Sequence, residues 1–222
     1  MDKKILAILG GTGQQGGALA LRWARAGHAV VIGSRDAARA EAKAREILAR
    51  APGAVVSGAD MAGAAATAQI VVLSVPYAVH DVTLASIRSA VQGKIVVDVT
   101  VPLTPPRVAR VQLPPEGSAA MAAQLALGPG VKVVSAFQNV AAHLLDADGA
   151  VECDVLVSGD DKDARAEVVM LARAAGMRAF HAGSLANSAA AEALTSVLIF
   201  INGRYRTTAG IRLTGLPDDG SA

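Results

Sequence analysis

Short apolar runs alternate with helical patterns along most of the chain, and that alternation predicts an α/β fold. Residues 5–9, Ile-Leu-Ala-Ile-Leu, form the first run; a glycine-rich turn follows, then a helical pattern over 18–26. Further runs at 28–32, 55–57, 70–75, 95–99 and 131–135 predict strands, separated by helical patterns at 36–51, 60–68, 79–89 and 118–127. Runs without polar alternation belong to a parallel sheet covered by helices on both faces. Pro52-Gly53 and Gly128-Pro129-Gly130 stop two of the helices.

Beyond residue 150 come a strand at 154–158, a helix at 162–175 stopped by Gly176, a strand at 178–181 and a long helix at 188–206. The centre of that helix, 196–201, is apolar nearly all round, which calls for burial on several sides. The pattern predicts a Rossmann-type doubly wound parallel sheet over residues 1–150 and a second, smaller α/β domain over 151–222. The long helix is expected to help form the cleft between them and to meet a second subunit. Residues 216–222 read as a frayed tail.

The turn after the first run carries candidate chemistry. Gly11, Gly13 and Gly16 fill a G-x-G-x-x-G spacing within Gly10-Gly11-Thr12-Gly13-Gln14-Gln15-Gly16. In a chain with 22 Gly the spacing alone is weak, but here it stands between a strand and a helix. The first glycine allows the sharp turn, the second lets a pyrophosphate approach the backbone, and the third lets helix and sheet pack closely. Free N–H groups at the helix N-terminus then face the anion.

The tip of the second run discriminates between nucleotides. Where an NAD site usually carries a carboxylate for the ribose hydroxyls, this chain has Gly33-Ser34-Arg35. Ser34 can donate its hydroxyl and Arg35 a planar cationic fork, while Arg39 lies one helical turn away on the same face. The combination favours NADP over NAD; the competing reading is a solvated basic helix start. Ligands on such sheets sit outside the carboxyl ends of the strands. That places Ser74, Val75, Pro76 and Tyr77, then Val101, then Ala136, Phe137, Gln138 and Asn139 beside the cofactor path.

Composition adds mainly exclusions. Hydrophobic residues are 52% and charged ones 18%, with 21 basic against 19 acidic residues, so neither a nucleic-acid partner nor a membrane surface is implied. The first apolar run is too short for a signal peptide, and the only cysteine, Cys153, precludes an internal disulfide, so a cytoplasmic location is expected. No metal-ligand cluster and no nucleophilic triad is evident, and no residue is named as catalytic. Cys153 reads as a small core residue, Trp23 as packing on the sheet, Asp98 as a tie between loops, and His143 as a helix-end or solvent-facing residue.

Several stretches together resemble a known family. Residues 8–13 (Ile-Leu-Gly-Gly-Thr-Gly), 17–24, 26–28, 31–35 (Val-Ile-Gly-Ser-Arg), 136–140 with His143-Leu144-Leu145, and 154–157 before Gly159-Asp160-Asp161 are similar to NADPH-dependent reductases of the deazaflavin coenzyme F420. The resemblance implies hydride transfer between nicotinamide C4 and deazaflavin C5, in a two-domain homodimer holding the deazaflavin between its domains. Thr12, Gly13, Gln14, Gln15, Ser34, Arg35 and Arg39 match the family's NADP contacts, with Arg39 where lysine is common. Deazaflavin contacts are expected at Phe137, Gln138, Asn139, Thr195 and Ser196. Two other readings share the glycine turn: a Rossmann reductase of an imine or keto acid, and a non-catalytic NADP-binding redox sensor.

Overall fold

In the computed structural model, which describes residues 3–216, one sheet of eight strands runs through the molecule in the order β3-β2-β1-β4-β5-β6-β7-β8. The strands are β1 (Ile5–Leu9), β2 (Ala29–Ser34), β3 (Val56–Asp60), β4 (Ile70–Leu73), β5 (Ile95–Asp98), β6 (Lys132–Ser135), β7 (Val155–Gly159) and β8 (Ala179–His181). β1 to β6 are parallel, in the strand order of a dinucleotide-binding sheet. β7 pairs antiparallel with β6, and β8 parallel with β7. The last two strands thus continue the same sheet in the reverse direction. Apart from Leu216, the expected frayed tail lies outside the described residues.

Successive residues of a strand point to opposite faces, and here both faces are covered. Leu6 and Ile8 join one core with α1 (Gln14–Arg25), α2 (Ala37–Arg50) and α7 (Lys162–Ala174). Ala7 and Leu9 join the other with α3 (Met61–Thr67), α4 (His80–Ile87) and α5 (Ala119–Leu127). The helix starts follow local chemistry. Asp36 accepts from the N–H groups of Ala38 and Arg39 at the start of α2, Ser118 from Met121 at α5, and Asp161 from Ala164 at α7. α2 buries Ala40, Ala44 and Ile47, one stripe at helical spacing.

Two neighbours on α1 attach the second half of the chain. The Arg22 guanidinium donates to the carbonyls of Leu145 (2.6 Å), Ala147 (2.7 Å), Ala175 (2.8 Å), Gly149 (3.0 Å) and Leu144 (3.3 Å). It thereby satisfies carbonyls at the end of α6 (Ala142–Asp146), a short helix with no counterpart in the sequence pattern, and at the C-cap of α7. Trp23 is fully buried; its Nε1 donates to Leu171 of α7 at 2.8 Å and its ring meets Phe137 edge-on, 5.8 Å between centroids.

The last helix, α8 (Ser188–Tyr205), is only partly buried within one copy of the chain. It packs on α5 and β7, but Val197 and Phe200 remain 43% and 61% exposed. Among the described residues no further element covers those two side chains. The Trp23 contacts yield a stability prediction: Trp23→Ala should lower unfolding free energy by about 3–5 kcal/mol in a denaturant titration. A loss below about 1 kcal/mol would mean that Trp23 does not bear the joint between α1 and α7.

Candidate functional site

At the carboxyl end of β1 the chain turns under β4. Gly10 has φ +83°, and a Cβ there would lie 2.2 Å from the Ser74 carbonyl oxygen, so no other residue fits. Gly11 and Gly16 are nearly as confined, against Ile8 and Gly10 respectively. Gly13 is the N-cap of α1 in extended conformation with no side-chain cap, and no acidic residue occupies the first turn. The helix's leading N–H groups and positive dipole end are therefore available to an anion.

Three cavities follow one another along the strand tips. The first, about 450 Å³, lies between the glycine turn and the end of β2 and is lined by Thr12, Ser34, Arg35, Arg39 and Ser74. Ser34 is buried, accepting from the Asp36 N–H at 3.3 Å, whereas Arg35 and Arg39 are exposed. The second, about 370 Å³, shares Gly13, Ser74, Val75 and Pro76 with the first and adds Gln14, Gln15, Tyr77, Thr100 and Val101. The third, about 220 Å³, shares Gln15, Val99, Val101 and Leu103 with the second and is closed by Gln138, Asn139, Thr195 and Asn202. Together they form a trench from a basic end to an end of mixed polar and aliphatic character.

Asp98, at the tip of β5, ties the trench floor together. Its fully buried carboxylate bonds His80 Nε2 at 2.8 Å through Oδ2 and accepts from Thr100 N–H at 2.9 Å through Oδ1. Its backbone carbonyl accepts from Gln138 Nε2 at 2.8 Å. Burial pushes the His80 imidazole pKa down, but the hydrogen bond and charge of Asp98 outweigh that and leave it raised. Segments after β4, β5 and β6 thus converge on one residue, the tying role its sequence position suggested. Thr100 Oγ1 and Gln138 Oε1 are buried without a hydrogen-bond partner in residues that line the second and third cavities. Unsatisfied buried acceptors and donors of this kind are costly, and a ligand is one way to satisfy them.

The turn after β6 divides the expected contacts. Phe137 has φ +74°, a conformation rare outside glycine, and its ring is turned into the core against Trp23. Only its carbonyl reaches toward the trench, accepting from Gln15 Nε2 at 3.0 Å. Ala136 and Ser196 are likewise buried and line none of the three cavities, while Asn139 donates to the Ala191 carbonyl (2.7 Å) and Thr195 Oγ1 (3.1 Å). Leu103, Asn202 and Ala209 line the third cavity without a signal in the sequence pattern. Their approach is a matter of tertiary folding. Among the described residues no group of three or more His, Cys, Asp or Glu is placed to hold a metal ion. A larger cavity, about 670 Å³, lies at the opposite, amino end of β1 and β2, with Arg25 and Arg50 already paired to Asp148 and Asp146. It has neither the glycine turn nor a free helix N-terminus.

Comparison with known proteins adds an independent finding. Residues 5–102 match the family described as "NADP oxidoreductase coenzyme F420-dependent". An F420-dependent NADP reductase of Methanothermobacter thermautotrophicus is 42% identical over 96% of this chain and 96% of its own length. One from Methanocaldococcus jannaschii is 42% identical over 95% and 98%. A crystal structure from Arthrobacter sp. FB24, provisionally described as an F420-dependent NADP reductase, superposes with a TM-score of 0.80 at 30% identity, covering 96% of this chain and all of that one.

Behind the trench, Glu192 of α8 fastens that helix to the start of α5, accepting from Ala119 N–H at 2.7 Å and Ala120 N–H at 3.2 Å. Burial raises its pKa to about 7, against those two hydrogen bonds, which lower it. The native state therefore holds this proton through a range, about pH 4.5 to 7, in which the unfolded chain has released it. Stability from this group is present at low pH and lost as pH rises toward 7. Relative to Glu192→Gln, the wild-type chain should lose up to about 3 kcal/mol between pH 4.5 and 7 in denaturant titrations. Parallel pH profiles for the two would contradict the raised pKa.

Proposed function

This chain belongs to the family of F420-dependent NADP reductases, and we propose from that premise how its trench serves the reaction. It is an oxidoreductase that moves a hydride between NADP(H) and coenzyme F420. Nicotinamide C4 supplies or receives the hydride and deazaflavin C5 is its counterpart, so the chemistry resides in the two ring systems. What remains for the protein is to bind, align and shield them.

In this reading the uncapped N–H groups of α1 and the Thr12–Gln15 backbone hold the pyrophosphate, and Ser34, Arg35 and Arg39 hold the 2′-phosphate. The middle cavity, between Pro76, Tyr77 and Val101, receives the nicotinamide, and the third cavity the deazaflavin. The carrying observation is that Gln15, Val99, Val101 and Leu103 line both cavities, so that two rings bound there would be neighbours. The unpartnered Thr100 Oγ1 and Gln138 Oε1 fit polar ring edges. Transfer is then direct, with no protein nucleophile and no catalytic side chain.

The same proposal treats the chain as a dinucleotide-binding unit to about residue 150 and a smaller following unit; the sheet reverses direction between β6 and β7, near that boundary. A second copy of the chain is proposed to cover Val197 and Phe200. Cytoplasmic placement belongs to the proposal too, in keeping with the free, buried Cys153.

Mixing the protein with NADPH and F420 should bleach the deazaflavin's visible absorbance, while NADH or FMN in place of either should not. Binding of NADPH without bleaching would refute the transfer. Arg35→Ala should weaken NADPH binding about ten- to a hundredfold, from a charged hydrogen bond of about 1.5–3 kcal/mol, and leave NADH nearly unchanged. Equal losses for both nucleotides would remove the 2′-phosphate role. Phe200→Glu should shift the sedimenting species from dimer to monomer; a wild-type chain that sediments as a monomer would contradict the second copy.

A further inference from the structure

The segment after α8, residues 207–213, doubles back over the third cavity and contributes Ala209 to its wall. It has no regular secondary structure, yet it is pinned at several points. Thr207 N–H donates to the Asn202 carbonyl at 3.3 Å, Ala209 N–H to Asn202 Oδ1 at 2.6 Å, and Thr208 Oγ1 lies 2.9 Å from His143 Nε2. At its far end the buried Asp154 carboxylate accepts from Leu213 N–H at 2.6 Å and pairs with Arg178 Nε at 3.2 Å, while Asp154 N–H donates to the Ile211 carbonyl at 2.8 Å. A surface tail does not need a buried carboxylate to hold it, and the reaction makes no use of Asp154.

Gly210 shows why the segment can lie so close. A Cβ there would fall 2.7 Å from Cys153 Sγ and 3.1 Å from Cys153 Cβ. The same Sγ lies 3.5 Å from the Asn139 carbonyl, and Asn139 lines the cavity. Gly210, Cys153 and Asn139 thus form one stack running from the segment to the turn after β6. Pushing the segment outward at Gly210 would move its neighbour Ala209 off the cavity.

We propose that residues 207–213 are a positioning strap that forms one wall of the acceptor pocket, and that Asp154 and the Gly210–Cys153 contact set the affinity for the deazaflavin but not for the dinucleotide. The inference rests on reading the third cavity as the deazaflavin's. No residue of the strap lines the first cavity, where Ser34, Arg35 and Arg39 stand, so the two affinities separate.

The test compares wild-type protein, Gly210→Ala, Cys153→Ala and the double variant, by F420 fluorescence titration, NADPH titration and steady-state kinetics. Gly210→Ala should raise the F420 Kd and KM about tenfold through overpacking, with NADPH affinity unchanged within about twofold. Cys153→Ala alone, which loosens the same contact, should raise the F420 Kd about threefold and leave NADPH affinity unchanged, and in the double variant the new Gly210 methyl fills the space of the removed sulfur and should restore F420 affinity to within about threefold of wild type. A general loss of structure would depress both affinities and would not be rescued by removing a sulfur. Should Gly210→Ala not fold, Thr208→Val, which frees the strap from His143, should raise the F420 Kd about threefold without altering NADPH binding. Unchanged F420 affinity in a folded variant, or equal loss of both ligands, overturns the strap's role while leaving the reaction intact. A wild-type chain that binds no F420 overturns the acceptor assignment and the strap with it.

Discussion

The space left by absent side chains at Gly10, Gly11 and Gly16 is the constraint on which the rest of the site depends. β1 and β4 are adjacent strands, and the Gly10 turn passes so close to the Ser74 carbonyl that even a methyl group is excluded. That contact fixes where α1 begins, and so where its unsatisfied N–H groups point. It also sets the position of Ser74–Pro76, the wall common to the first two cavities. A larger residue at Gly10 would clash with the Ser74 carbonyl and force the two strand tips apart.

With the glycine turn in place, buried polar groups determine the trench's shape. Asp98 joins the loops after β4, β5 and β6 through His80, Thr100 and Gln138, and Glu192 joins α8 to α5. Burying a carboxylate is costly unless several donors meet it, and both have backbone N–H donors of fixed direction. A network built on backbone groups holds its walls at defined separations, which is what alignment of two planar rings requires. On the other face, Arg22 and Trp23 use one turn of α1 to anchor α6 and α7. The helix whose N-terminus is left uncapped is therefore also the one against which the second half of the chain is fastened.

The division of labour along the trench follows from its chemistry. One end offers Arg35 and Arg39, whose charge and donor geometry suit a phosphate. The other end offers amides, hydroxyls and aliphatic walls, suited to a neutral heteroaromatic ring. Between them no ionisable side chain stands on the shared wall of Gln15, Val99, Val101 and Leu103.

The sequence by itself determined the parallel sheet, the glycine turn and the basic replacement at the tip of β2. Each is written in neighbouring residues: apolar runs without alternation, glycines at fixed offsets, and Gly33-Ser34-Arg35 where a carboxylate would otherwise stand. Their physical causes act over a few positions, so spacing suffices to read them. Only the tertiary structure decided which face of each residue met the trench. Phe137 stands at a strand tip, yet its positive φ sends the ring to Trp23 and leaves a carbonyl for Gln15. The reversed pairing of β7 with β6, the exposed side of α8 and the closing of Asn202 and Ala209 over the third cavity likewise have no local signature. They result from contacts between segments far apart in the chain, and such contacts depend on packing geometry that no periodicity encodes.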